Sequence, residues 1–385
     1  MSSKAQAILD WLEQNRRPEI RVHYQMSSGN LPIGASKIGG CPDVPADFVW
    51  PYVACESLYG DDDKPHPLTF MAQFNLAELA DCDTENRLPK AGLLSFFYDE
   101  ESGDWGENPD CAKVFYFPPE MPLVRMPLPF DRAKNCDDEY IDIGELTVSF
   151  SRQSYVPSQN RAEEAFPDVD IYDELQGTAE YEQFFGEDAR NGCTVKLFGW
   201  AEPVQWDMEE ECVLRSHNGD WDDYLDNPEM KAQIDKEKDD WILLFQLDSI
   251  YVEDKDAVLY PKLQNIPEEL LHLLREYRSL LTTQELFNTK DEDGMSFWEV
   301  AAQMPEDLQK KFAAEQEQNK QRIQEVSDIL QKAGITPSDD LFERNPNHRS
   351  VDIMFGDAGC LYFWIHKDDL AAKRFDKVIH IAQCH

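Results

Sequence analysis

Apolar residues in this chain fall mostly into short runs of strand length, and one series of such runs occurs twice. The first series begins at Lys37-Ile38-Gly39-Gly40 with Pro42. It continues through Leu68-Thr69-Phe70-Met71-Ala72-Gln73-Phe74-Asn75-Leu76, Gly92-Leu93-Leu94-Ser95-Phe96-Phe97-Tyr98 and Lys113-Val114-Phe115-Tyr116-Phe117. The second begins at Lys196-Leu197-Phe198-Gly199 with Pro203. It continues through Ile242-Leu243-Leu244-Phe245-Gln246-Leu247-Asp248, Gly359-Cys360-Leu361-Tyr362-Phe363-Trp364-Ile365 and Lys377-Val378-Ile379-His380-Ile381. Four blocks in one order predict a mainly β (α+β) protein with an internally duplicated core.

Helical periodicity is confined to a few places. Residues 3–16 carry Ile8, Trp11 and Leu12 on one face and stop at Pro18, which predicts an N-terminal helix packed on the sheet. The acidic stretch 151–192 reads as a linker with one short helix around Tyr172 to Phe185. The first copy passes from Gln73 to Gly92 in 19 residues, whereas the second takes 113 from Gln246 to Gly359. Much of that excess is helical. Pro267 opens a run with Leu270, Leu271, Leu273, Leu274, Tyr277, Leu280 and Leu281 on one face. A second helix is expected around Phe297 to Ala302, and a third runs from Pro305 to a cap at Gly334. The expected organisation is one domain over 1–385, with a first β-rich half at 20–150 and the acidic linker at 151–192. A second half follows at 193–262 plus 346–385, interrupted by a helical insertion at 263–345.

Charge changes the functional picture. Asp and Glu number 76 against 36 Lys and Arg, a formal charge of −40. A phosphate backbone would be repelled, so nucleic-acid binding is not expected. The acids gather in runs such as Asp61-Asp62-Asp63 and Glu209-Glu210-Glu211, which are candidates for docking a basic protein. No apolar run is long enough to span a membrane, and the N-terminus lacks the apolar core of a secretory signal, so a cytoplasmic protein is expected. Nine scattered cysteines without a Cys-x-x-Cys pair suggest neither a disulfide framework nor a zinc ribbon.

Candidate chemistry is sparse. There is no metalloprotease, phosphate-loop, dinucleotide or nucleophile-elbow motif, and no metal or cofactor is expected. Gln73 and Gln246 hold equivalent places inside apolar runs, where a buried amide must find partners. Asp357, in the glycine-flanked turn Gly356-Asp357-Ala358-Gly359, and Trp364 on the following strand complete a candidate ligand groove between the halves. Two amides and one carboxylate make a poor acid–base set, so a small-molecule hydrolase or ligand-binding protein is the alternative to a non-enzymatic binding module.

These strings, with Asp368-Asp369-Leu370, resemble the YwqG-like family of bacterial proteins over about 20–120, 193–250 and 351–385. The resemblance implies a mainly β, internally duplicated cytoplasmic domain and supplies no catalytic residues. It also suggests an immunity-type role, as an inhibitor of a basic toxin or nuclease. The insertion departs from compact relatives, and Phe355 stands where a tryptophan is usual.

Overall fold

The computed structural model describes residues 2–27, 29, 31–54, 65–100, 105–129, 144–186, 195–219, 227–253, 260–286, 297, 301–302, 304–343, 345 and 348–385. The chain divides into two compact units, 1–253 with 350–385, and 254–349.

The first unit is built on a ten-stranded antiparallel sheet that curls towards a barrel, with helices beside it, an α+β arrangement. In chain order its strands are β1 (Arg17–Met26), β2 (Lys37–Ile38), β3 (Thr69–Asn75), β4 (Leu93–Tyr98) and β5 (Ala112–Phe117), followed by β6 (Leu146–Tyr155), β7 (Lys196–Phe198), β8 (Trp241–Asp248), β9 (Cys360–His366) and β10 (Ile379–Gln383). The spatial order is β10-β9-β8-β7-β1-β6-β2-β3-β4-β5. It is symmetric about the central pair, in which β1 runs against β6 from Arg17↔Tyr155 to Met26↔Leu146.

That order contains an exchange. In sequence β1 leads the first copy and β6 leads the second, yet β1 pairs with β7 of the second copy and β6 with β2 of the first. Each half therefore lends its leading strand to the other. The likeness extends to defects: β3 shifts register between Phe70 and Ala72 against β4, and β8 between Leu243 and Phe245 against β9. The residues displaced there, Met71 and Leu244, are both wholly buried.

Strands β3, β4, β8 and β9 are buried on both faces, which is why they read as nearly continuous apolar runs without alternation. On the inner face the halves meet through aromatic rings: Phe96 lies 4.7 Å from Phe245 and 5.0 Å from Phe363, and Phe74 lies 5.0 Å from Phe245. On the outer face of the first half, Trp50, Leu68, Phe70 and Phe97 form one cluster. In the second, Leu243, Tyr362 and Trp364 pack with residues of helices Glu209–Ser216 and Pro228–Glu237.

The N-terminal helix, Ser3–Gln14, does not pack as expected. Its buried residues Ala5, Ile8, Leu9 and Leu12 join Val156, Ala162, Ile171, Leu175 and Phe184 in a cluster of their own. The partners come from three short helices, Gln159–Ala165, Ile171–Leu175 and Ala179–Phe185, where one helix and an irregular linker were expected. Elements of five to seven residues span fewer than two turns and show no usable period. Their caps are legible only in hindsight: Ser158, Asp170 and Thr178 each accept a backbone N–H of the helix that follows.

The second unit holds the helices Glu268–Leu286 and Glu306–Lys332. Leu274, Val326 and Leu330 are its buried centre, with Leu270 and Leu273 packed against them. Arg322 grips Glu276 across the pair with contacts of 2.6 and 3.0 Å. Most of the helix expected near 297–302 lies outside the described residues.

The strand Ile250–Glu253 pairs antiparallel with Ser350–Ile353, so Glu253 and Ser350 face one another at the end of a two-stranded ribbon. Residues 254–349 can thus be replaced by an Asn-Gly turn without moving either strand. The shortened chain should keep a single cooperative melt, measured by circular dichroism; an insoluble or non-cooperative product would show that the sheet depends on the second unit.

Candidate functional site

The most unusual side chains in the sheet are two buried lysines. Lys37 on β2 and Lys196 on β7 are both fully shielded from solvent. Each opens a corner with two successive residues at positive φ, Gly39-Gly40 in one copy and Phe198-Gly199 in the other. A Cβ on Gly40 would lie 3.0 Å from the Cβ of Glu145, and one on Gly199 would lie 2.8 Å from the Cβ of Glu19, so glycine is needed at both.

Those glutamates are the lysines' partners, each delivered by the exchanged strand. Lys37 Nζ donates to Glu145 Oε2 at 3.2 Å and to the Cys41 carbonyl at 2.5 Å, with Asp43 Oδ2 at 3.9 Å. Lys196 Nζ donates to Glu19 Oε2 at 3.1 Å and to Glu202 Oε1 at 2.8 Å. Asp43 and Glu202 stand at the same spacing from their lysines.

Gln73 and Gln246 close these clusters. They pair across the sheet with Lys37 and Lys196 respectively. Gln73 Oε1 accepts the Asp43 N–H at 2.8 Å, and its Nε2 donates to Asp43 Oδ2 at 2.7 Å and Ala35 O at 2.8 Å. Gln246 Oε1 accepts the Glu202 N–H at 3.1 Å, but its Nε2 has no partner among the described residues. Both amides are wholly buried. They brace two separate loops.

Charge around Lys37 is tightly organised. Arg125 holds Asp43 through Nε to Oδ1 at 2.9 Å and Nη2 to Oδ2 at 3.2 Å. Burial would raise the Asp43 carboxyl, yet the bonds from Arg125, the Gly34 N–H and Gln73 bring it below its ordinary value. Burial pulls the Lys37 ammonium down, against the attraction of Asp43 and Glu145.

The remaining candidates are dispersed. Asp357 is exposed in its turn, where Gly356 and Ala358 both have positive φ. Trp364 is buried in the outer cluster, and its Nε1 has no partner among the described residues. Asp61, Asp62 and Asp63 lie outside the described residues. The run at 209–211 is no free acidic patch: Glu209 and Glu211 are buried and pair with Arg161 and Arg215, while Glu210 pairs with Lys238 at 3.1 Å. Burial raises the Glu209 carboxyl, opposed by Arg161. Arg161, Glu209, Glu210 and Lys238 border a cleft of ≈ 320 Å³ beside Trp206, which is 50% exposed.

A family model described as a domain of unknown function, DUF1963, matches residues 36–262 and 281–384. The chain belongs to this DUF1963 family. No curated protein matches it. Both lysine corners, both glutamines, Glu145 and Glu202 fall inside the matched stretches, whereas Glu19 precedes them. Among the described residues of this DUF1963 chain, no helix is long and apolar enough to cross a membrane.

Two outcomes test the buried clusters. Lys196→Met leaves the fully buried Glu19 with only the longer 3.4 Å contact to Arg21 and should cost about 3–5 kcal/mol in urea unfolding, with much of the loss recovered when Glu19→Met is added. A loss under about 1 kcal/mol would show that the pair is dispensable. For Asp43, a carboxyl depressed in the fold contributes stability above its unfolded value near 3.8, lost as pH falls through the lower folded value. Asp43→Asn should therefore flatten the fall in unfolding midpoint below that pH.

Proposed function

We propose that this chain is a non-enzymatic, cytoplasmic binding module of the YwqG-like kind that docks a basic protein, as an immunity-type inhibitor of a basic toxin or nuclease would. The observation that carries the reading is the formal charge of −40, about one uncompensated acid per ten residues. Holding so much like charge in one compact chain costs stability through self-repulsion. A basic partner relieves that repulsion and is steered to the surface by it. None of the six described cysteines is in a disulfide, in keeping with a reducing compartment.

The alternative, a hydrolase or ligand-binding protein using Gln73, Gln246 and Asp357 in one groove, draws no support from their placement. Two are buried in separate clusters and the third is exposed in a turn. Pull-down from the source organism should recover one basic protein that forms a stoichiometric complex at about 50 mM salt and is released by about 500 mM, where screening shortens the reach of surface charge. Recovery of no basic partner, or a complex indifferent to salt, would overturn the reading.

A further inference from the structure

One cleft of ≈ 590 Å³ has a lining whose charge is opposite to that of the chain as a whole. One side is the loop Asn86 to Lys90, between β3 and β4 of the first half. The other is Lys367 to Lys373, between β9 and β10 of the second, with Ile242 of β8 between them. Four of its ten lining residues are bases, Arg87, Lys90, Lys367 and Lys373, and none is an acid. In a chain where acids outnumber bases 76 to 36, such a grouping runs against composition.

Two of these charges are partly answered by neighbours outside the cleft. Arg87 pairs with Glu85 and lies over the Phe198 ring, and Lys367 pairs with Asp240. Lys90 and Lys373 are exposed and have no ion pair among the described residues. Leu88 and Leu370 are buried, and together with Pro89 and Ile242 they give the cleft an apolar floor.

Both walls are held in place. Buried Asp83 accepts the N–H of Arg87 at 3.1 Å and of Leu88 at 2.9 Å, which fixes the first loop. Opposite, the Lys373 N–H donates to Leu370 O at 3.0 Å, and Arg374 N–H to Asp369 O at 2.8 Å, closing the end of helix Lys367–Ala371. Lys373 there has φ +60°, the position at which glycine is relaxed and a side chain strained. A lysine standing where glycine would be more stable points to a use for its ammonium.

We propose that this cleft binds a small molecule bearing a phosphate group on an apolar body. The volume is that of a small-molecule site. A phosphate dianion matches the two uncompensated lysines and gains from Arg87 and Lys367 in the same lining, whereas a single carboxylate would leave one lysine unanswered. The apolar floor selects an organic phosphate over the free ion. The site is independent of any protein-docking surface and stands or falls separately from it.

The test is calorimetric titration of the full chain at about 0.15 M salt, where the distant acidic surface is screened beyond about 8 Å, with phenyl phosphate, inorganic phosphate and phenol as probes. Phenyl phosphate should bind saturably at one site, more tightly than inorganic phosphate, and phenol should not bind. Lys90→Ala with Lys373→Gly should weaken phenyl phosphate by about tenfold or more. Lys373→Gly alone should raise the melting temperature while weakening binding, an outcome that misfolding would not produce. No saturable binding up to about 10 mM, equal binding of phenol, or an unchanged affinity in the double variant would each overturn the proposal.

Discussion

The constraint on which this fold turns is the cost of burying an ammonium group. An isolated buried charge costs several kcal/mol even after relaxation, so Lys37 and Lys196 are tolerable only with carboxylates fixed against them. Neither half supplies the full set. Glu145 reaches Lys37 from the residue just before the leading strand of the second copy, and Glu19 reaches Lys196 from the leading strand of the first. Each half, folded alone, would lose its partner's glutamate and expose one edge of its second strand. Strand exchange and buried ion pairs thus enforce one another, and the ten strands behave as one sheet and not as two five-stranded units.

The corner after each lysine follows from the same demand. For a glutamate Cβ to pass beside the backbone, the fourth residue of each corner must be glycine, and both copies comply. The third residue need only reach positive φ. Gly39 does so freely, while Phe198 does so at a cost of about 1–2 kcal/mol. Phe198 offsets this by burying its ring, 98% shielded, beneath the Arg87 guanidinium 4.9 Å away. That ring ties the second half's corner to the loop which forms one wall of the basic cleft.

Much of the sheet is legible in sequence because β3, β4, β8 and β9 are continuous apolar runs, and their repetition in order exposes the duplication. The glutamines stand out for the same reason, as polar residues inside those runs. Their purpose is not legible. Nothing in sequence links Gln73 to Asp43 thirty residues earlier, or Lys37 to Glu145 across most of a copy. Glu19 and Glu145 escape notice because each sits at the start of a strand among many acids, and an acid-rich chain hides the few carboxylates that are buried. Similarly, charge runs predict exposure, and that rule fails at 209–211 because Arg161, Arg215 and Lys238 come from distant or helical positions that sequence order does not align.

The two copies have not kept equal quality. In the first, Gln73 uses both ends of its amide, and Asp43 is held by Arg125, Gly34 and Gln73 together. In the second, Glu202 turns to Lys196, leaving the Gln246 amide nitrogen and, on β9, the Trp364 indole nitrogen without partners among the described residues. A buried donor without an acceptor costs about 1–3 kcal/mol, and the first copy carries orphans of its own in the Thr69 and Ser95 hydroxyls, so the copies differ in how their corners are braced and not in polar satisfaction as a whole. Packing distinguishes them further: helices cover Tyr362 and Trp364 in the second half, which is also the half whose β-ribbon accepts 254–349.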